Sequence, residues 1–254
     1  MAPQETSSSR PAGAPPVAAV VVLAAGQGTR MRSAVPKVLH PLGGRSLLGH
    51  VLAAAEPLGA GTTVVVVGSG REQVTEHLAA VAPAALAVVQ EQQLGSGHAA
   101  GGALAAVPDV EGSVLVLNGD SPLLTTRTLE TLVSAHDAAG SVFTVLTAEV
   151  DDPTGLGRIV RGADGAPRAI VEERDATDEQ RAIREVNAGV YVANAGTLRR
   201  VLAGIGSAKR VVGKDGSAAP LEDFIKVVNV NLIGTYNAAR LFAAACAKLP
   251  PMED

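Results

Sequence analysis

Lys37 is the only lysine in the first 208 residues, where fourteen arginines carry the rest of the basic charge. A chain that otherwise uses arginine has kept one compact ammonium here, a strong point charge for a phosphate. It follows the run Leu23-Ala24-Ala25-Gly26-Gln27-Gly28-Thr29-Arg30-Met31, which leaves an apolar, β-branched stretch. Small residues let a backbone approach a phosphate chain closely, and successive N–H groups can form an anion nest. Arg30 adds a planar fork able to grip phosphate oxygens in pairs. Taken alone, a Gly-x-Gly is often only a turn, and a lysine only a solvated charge. The run fails the dinucleotide fingerprint, because Met31 holds the third glycine position, and no Gly-Lys-Ser/Thr follows to make a Walker loop.

Two further loops carry usable chemistry. Gln90-Glu91-Gln92-Gln93-Leu94-Gly95-Ser96-Gly97-His98 offers an amide side chain and free backbone groups near a glycine turn, which suit the edge of a nucleobase. Asn118-Gly119-Asp120-Ser121-Pro122 places a carboxylate after an apolar run, where a hard oxygen could hold Mg²⁺ between phosphates. Both also have plain readings, as a polar loop and as a turn former.

The elements between these loops position them. Strand-length apolar runs occur at Val17–Leu23, Thr63–Val67, Leu86–Val89, Val114–Leu117 and Val142–Leu146, separated by helical stretches at Ser46–Leu58, Arg71–Val81, Gly97–Val107 and Thr125–Ala138. Continuously apolar strands alternating with helices predict an α/β fold with a mainly parallel sheet covered by helices on both faces. Ligands in such sheets bind beyond the carboxyl ends of the strands. The loops after Leu23, Val89 and Leu117 are therefore where the chemistry is expected. After Glu149 the rhythm changes: Arg158–Arg161 and Arg168–Glu172 flank the turn signal Ala163-Asp164-Gly165 and predict a hairpin. A helix over Thr177–Ile183 and a strand over Val186–Val192 follow, and the segment 150–192 is expected to close one side of the pocket.

Composition narrows the function classes. With 47% hydrophobic residues in 254, the chain can bury one good core, or one large and one small domain. A net charge of -4 and a pI of about 5.8 disfavour nucleic acid, and with three Phe, two Tyr and no Trp it has no stacking platform. One cysteine, Cys246, excludes a disulfide framework. No apolar run approaches the ~20 residues of a membrane span. Residues 1–16, rich in Pro, Ser, Ala and Gly, are expected to be a disordered tail rather than a signal peptide, which leaves the cytoplasm as the expected address.

Together, Leu-Ala-Ala-Gly-x-Gly-Thr-Arg-Met with Pro36-Lys37-Val38-Leu39, Gln90 with Leu94-Gly95-Ser96-Gly97-His98, and Gly119-Asp120-x-Pro122-Leu123 resemble the nucleotide-diphospho-sugar pyrophosphorylases. Asp151-Asp152-Pro153-Thr154-Gly155-Leu156-Gly157-Arg158-Ile159, Ile170-Val171-Glu172, Asp175-Ala176-Thr177-Asp178-Glu179-Gln180 and Glu185-Val186-Asn187-Ala188-Gly189-Val190-Tyr191 narrow the resemblance to bacterial N-acetylglucosamine-1-phosphate uridylyltransferases. The match runs from about Ala18 to Ile205, with the motifs in the family's order. It implies a Rossmann-like nucleotide-diphospho-sugar transferase fold and transfer of the uridylyl group of UTP to N-acetylglucosamine 1-phosphate, for cell-wall precursor synthesis.

Roles follow residue by residue from that resemblance. Leu23, Ala24, Ala25, Gly26, Gly28 and Thr29, with Gln90, Gly95 and Ser96, would bind the nucleotide. Arg30 and Lys37 would act on the phosphates, and Asp120 would ligate Mg²⁺. Gly157, Glu172 and Asn187 would bind the sugar. Ser96 stands where the family usually has Thr, which keeps the hydroxyl, and Asn118 sits at a position that varies in the family and decides nothing.

Past Gly206 the resemblance breaks. Four of the five lysines and three of the five aromatics lie in the last 46 residues. The family's continuation, with a second Mg²⁺-ligating Asn, is not found there. Instead residues 221–240 resemble one helix of short-chain dehydrogenases, with Asn231 at that family's catalytic Asn, yet the glycine-rich cofactor loop and Tyr-x-x-x-Lys pair of those enzymes are missing. Residues 207–254 are thus expected to be a foreign tail, helical from about 221. The hexapeptide-repeat acetyltransferase domain of full-length members, on which their trimer depends, is likewise not in this sequence. Three readings stay open: an active uridylyltransferase, a folded nucleotide-binding remnant with little turnover, or a pyrophosphorylase for another sugar phosphate.

Overall fold

The computed structural model describes residues 17–26, 28, 31–163, 165 and 167–206. The expectations for the tail 1–16, for Thr29 and Arg30, and for the segment 207–254 lie outside the described residues.

The parallel core is built from β1 (Ala19–Ala24), β4 (Thr62–Val67), β5 (Leu86–Val89) and β6 (Ser113–Asn118), in the order β5-β4-β1-β6. Their near-continuous valine and leucine content has a simple cause. Side chains alternate between faces of a strand, and here each face has its own core. Val20, Val22, Val65, Val67, Leu115 and Leu117 enter one apolar cluster. Ala19, Val21, Val64, Val66, Val114 and Val116 enter the other. The first is covered by α1 (Leu47–Ala55), α2 (Arg71–Val81) and α4 (Thr126–Ala138). The second is covered by α3 (Ser96–Ala105), whose small residues let it pack closely, and α6 (Ala195–Gly206). Only β5, at the sheet edge, keeps its end residues exposed.

Local chemistry sets the helix ends. The Ser46 hydroxyl accepts from Gly49 N at 2.9 Å and starts α1, after the short strands β2 (Pro41–Leu42) and β3 (Arg45–Ser46). The helix expected to run to Leu58 ends at Ala55, and Glu56–Leu58 is a 3-10 turn containing Pro57, which cannot donate a helical N–H. Thr125 caps α4 in the same way as Ser46 caps α1. The helix expected over Thr177–Ile183 shrinks to α5 (Asp178–Arg181), fixed by a capping box between Thr177 and Gln180.

The remaining strands extend the sheet. After β7 (Phe143–Glu149) come the hairpin strands β8 (Arg158–Arg161) and β9 (Pro167–Val171), then the long β10 (Glu185–Asn194). β10 runs antiparallel to β6 at Tyr191–Asn194, to β7 along both of its halves, and to β8 at Val186. Its register shifts between Asn187 and Tyr191, where Gly189 adopts φ +72°. The result is a mixed, mostly parallel eight-stranded sheet flanked by helices on both faces. Among the described residues no helix is long and apolar enough to cross a membrane.

Candidate active site

Parallel register brings three loops to one end of the sheet. Leu23 lies beside Asn118 on one side and Val66 on the other, and Gln90 N donates to Val67 O at 2.8 Å. The chain leaving β1 therefore emerges between the loops that follow β5 and β6. A cavity of about 410 Å³ opens there, lined by Leu23, Ala25, Gly26, Lys37, Gln90, Gly95, Ser96 and Asp120 from the predicted set. Val38, Gln93, Ala99 and Asn118 complete its wall.

Two predicted residues stand behind that wall. Ala24 is buried in the core on the face opposite Ala25. Gly28, at φ +59°, backs onto the stem of Lys37: a Cβ built there would come within 2.7 Å of the Lys37 Cβ. Both its left-handed backbone and this contact require glycine.

Lys37 begins a 3-10 turn (Lys37–Leu39) anchored by the buried Val38. Its ammonium contacts the Asp120 carboxylate directly, 83 residues away in sequence. The two side chains keep 41% and 32% of their exposure, so the pair is accessible from the cavity and contributes little to stability.

The amide run after β5 is ordered by its own hydrogen bonds. Gln90 is buried, and its Nε2 donates to Gly95 O at 3.2 Å and contacts His98 Nδ1 at 3.0 Å. Gln93, to which sequence reasoning gave no role, donates to Ala25 O at 2.8 Å and ties this loop to the small-residue loop. Its only sequence signal was its place in the same polar run.

Gly157, Glu172 and Asn187 also meet. Asn187 N donates to Gly157 O at 2.9 Å, and a Cβ on Gly157 would lie 3.3 Å from Glu172 Oε1. The Asn187 amide spans Gly189 N (3.0 Å to its Oδ1) and the Tyr191 hydroxyl (2.7 Å from its Nδ2). Burial raises the Tyr191 pKa above the usual phenol value, and the nearby Glu172 charge pushes the same way. Gly189 joins this group to the first cavity, since a Cβ on it would come within 2.1 Å of Asn118 Nδ2.

Behind Gly157 sits an arginine that sequence reasoning passed over. Arg158 is 2% exposed. Its guanidinium donates to Glu173 Oε2 at 2.7 Å, to Arg181 O at 3.4 Å and to Leu156 O. Glu173 Oε2 also accepts from Gly155 N at 3.1 Å. The bond from Arg158, then that from Gly155, holds the Glu173 carboxyl below its usual pKa. This pair thus moors the loop 152–157 that carries Gly157. Strand β9 contributes Arg168, Ala169 and Ile170 to one side of a second, mostly apolar cavity of about 700 Å³, reached from Leu23 and Ser96.

Among the described residues Asp120 is the one acidic side chain lining the first cavity, and no cluster of three or more His, Cys, Asp or Glu could cage a metal. Such a donor set suits a cation that takes most of its oxygens from water and phosphate, as Mg²⁺ does.

The description of MobA-like NTP transferase domains matches residues 20–210. The bifunctional protein GlmU of Clavibacter sepedonicus is 57% identical over 193 residues, which are 76% of this chain and 39% of that protein. GlmU of Streptomyces coelicolor is 61% identical over 176 residues, 68% of this chain and 36% of its own length. The chain thus spans less than half the length of these relatives. In fold it is similar to UDP-glucose pyrophosphorylase complexed with UDP-glucose, with a TM-score of 0.60, 16% identity, and coverage of 91% of this chain and 97% of that one.

Proposed function

The chain belongs to the family of MobA-like NTP transferase domains, and from that premise we propose that it transfers the uridylyl group of UTP to N-acetylglucosamine 1-phosphate, giving UDP-N-acetylglucosamine and pyrophosphate. The observation that carries this reading is the juncture of two half-sites. A cavity walled by Gln90, Lys37 and Asp120 is joined through Asn118 and Gly189 to the group Gly157, Glu172 and Asn187.

In this reading the base lies against Gln90 and Gly95–Ser96, and the triphosphate crosses the mouth of the Ala25–Gly26 loop toward Lys37 and Asp120. The Gly157 backbone, Glu172 and Asn187 hold the sugar hydroxyls and acetamido group. An oxygen of the sugar phosphate attacks the α-phosphorus in line, the bond to the bridging oxygen breaks, and pyrophosphate leaves. The nucleophile is already an anion, so no general base is needed. The protein supplies positioning, worth up to ~7–11 kcal/mol in ideal cases, and charge compensation. Lys37 places a fixed positive charge beside the phosphates. Arg30, outside the described residues, is assigned the same task from the sequence alone. Asp120 would hold Mg²⁺, which when bound neutralises phosphate oxygens and polarises the phosphorus. Before substrate arrives, Lys37 and Asp120 compensate each other's charge.

A cytoplasmic address and a role in making cell-wall precursors go with this reading. The test is pyrophosphate release from UTP and N-acetylglucosamine 1-phosphate with Mg²⁺, compared with glucose 1-phosphate and with CTP. Turnover restricted to UTP and the N-acetylated sugar is expected. Equal rates with both sugars would refute the sugar assignment, and no release above the enzyme-free rate would refute the reading as a whole.

A further inference from the structure

We infer that His98 determines which pyrimidine the cavity accepts, by fixing the direction in which the Gln90 amide points; this rests on the uridylyl reading above. The mechanism leaves His98 without a task, although it sits in the first turn of α3 beside the nucleotide cavity.

Donors and acceptors fix the orientation of the Gln90 amide. Gln90 Nε2 lies 3.2 Å from Gly95 O and 3.0 Å from His98 Nδ1. A backbone carbonyl can only accept, so the amide end facing Gly95 is the NH₂ group. Its second N–H then points at His98 Nδ1, which must accept, and the imidazole proton resides on Nε2. Both donors of Gln90 are thereby used within the protein. Its Oε1 makes no hydrogen bond among the described residues and is what the side chain can offer the cavity. Gln90 therefore presents an acceptor.

An acceptor facing position 3 of a pyrimidine pairs with the N3–H of uracil, whereas cytosine turns a lone pair there. A flipped amide would reverse the preference, because its NH₂ would pair with the cytosine N3. Gly95 O alone satisfies one N–H and leaves the other free to seek the base. With His98 in place both are satisfied and the flip is penalised. A buried amide facing the wrong edge leaves polar groups unpaired, which is costly in a site closed around its ligand. His98 is exposed and belongs to neither apolar cluster, so it can be changed without disturbing the core. It acts through Gln90 and is a positioning residue.

The test compares kcat/KM for UTP and for CTP in the full chain and in two variants. His98→Leu removes the acceptor and should lower the UTP-over-CTP ratio about tenfold, the size of one hydrogen bond's worth of preference. The change should lie mainly in a raised KM for UTP, with kcat little altered. His98→Asn can place its Oδ1 near where Nδ1 stood and should restore the ratio to within about twofold of the parent, as expected if one hydrogen bond is regained. An unmoved ratio in His98→Leu, or equal loss in both variants, overturns the inference. A parent chain indifferent to UTP and CTP overturns it together with the base assignment. A UTP-selective parent with an unaffected His98→Leu overturns it alone.

Discussion

Replacing Lys37 with alanine separates a catalytic charge from a structural one. The variant keeps the Cβ against which Gly28 is packed and the carbonyl that accepts from His40 N at 3.2 Å, so the 3-10 turn retains its frame. What disappears is the ammonium beside Asp120. Both side chains of the pair are about a third or more exposed, so its loss should cost ~0–1 kcal/mol of stability, a fall in Tm of roughly 4 °C at most for a chain of this size. The catalytic loss should be far larger. A unit charge about 4 Å from a phosphate oxygen, at an effective dielectric constant near 20, is worth about 4 kcal/mol. If that interaction is made chiefly in the transition state, turnover falls by about a thousandfold. The assay is pyrophosphate release under saturating substrates, run beside a thermal melt. Lys37→Arg, which keeps the charge but spreads it over a plane, should recover part of the rate. A drop in Tm beyond about 10 °C with a rate loss of under about tenfold would refute the reasoning and make Lys37 structural.

Three further outcomes are expected. Asp120→Asn keeps the size of the side chain but removes its charge, so the Mg²⁺ concentration needed for half-maximal rate should rise at least about tenfold, as loss of one charged oxygen ligand implies; an unchanged Mg²⁺ titration would place the metal elsewhere. Arg158→Met removes the buried mooring of the Gly157 loop and should cost about 2 kcal/mol, less than a fully buried pair because Glu173 is a third exposed. The KM for the sugar phosphate should rise more than that for UTP, and equal effects on both would deny the loop its role. Burial holds His136 below its ordinary pKa, against a weaker upward pull from Asp137, while its Nδ1 lies 2.8 Å from Thr144 Oγ1. The unfolded chain therefore binds this proton more readily than the folded one. The stability involved is present above about pH 6.5 and is lost as pH falls below it. Melts between pH 7.5 and 5 should show a decline that His136→Phe flattens, and parallel curves would clear His136.

The parts of the molecule legible in the sequence share one physical feature, that a local pattern answers to a local demand. The valine-rich runs read as strands because both faces of β1, β4 and β6 meet an apolar core, so their buried central residues are all apolar and polar ones stand only at the strand ends. Ser46 and Thr125 read as helix starts because capping is settled within three residues. What escaped depends on distance along the chain. The contact of Lys37 with Asp120 spans 83 residues, and nothing near either announces it. In the sequence Arg158 only opens a hairpin strand, and the return of Glu173 and Arg181 over it makes it one of the most buried side chains among the described residues. The hairpin itself is plain in the sequence, but its place as a continuation of the main sheet follows from β10 pairing with β6, β7 and β8.

β10 also explains why a residue without weight in the sequence acquires it in the fold. Asn118 lies at the end of the last parallel strand, one register step from the loop that carries Asp120. β10 pairs with that strand through Tyr191–Asn194 and with the hairpin strand β8 through Val186. Between these pairings its register shifts, and Gly189 turns its backbone against the Asn118 amide. In the proposed reading the nucleotide would rest on the loops of the parallel strands and the sugar on β8, β9 and the first residues of β10. The distance between them is therefore not set by a flexible linker, but by one strand that belongs to both. For an in-line attack this matters more than any single contact, because misplacing two reactants by about an ångström can cost about a hundredfold in rate. On this argument Gly189 and Asn118 matter through the spacing of the two substrates rather than through contact with either.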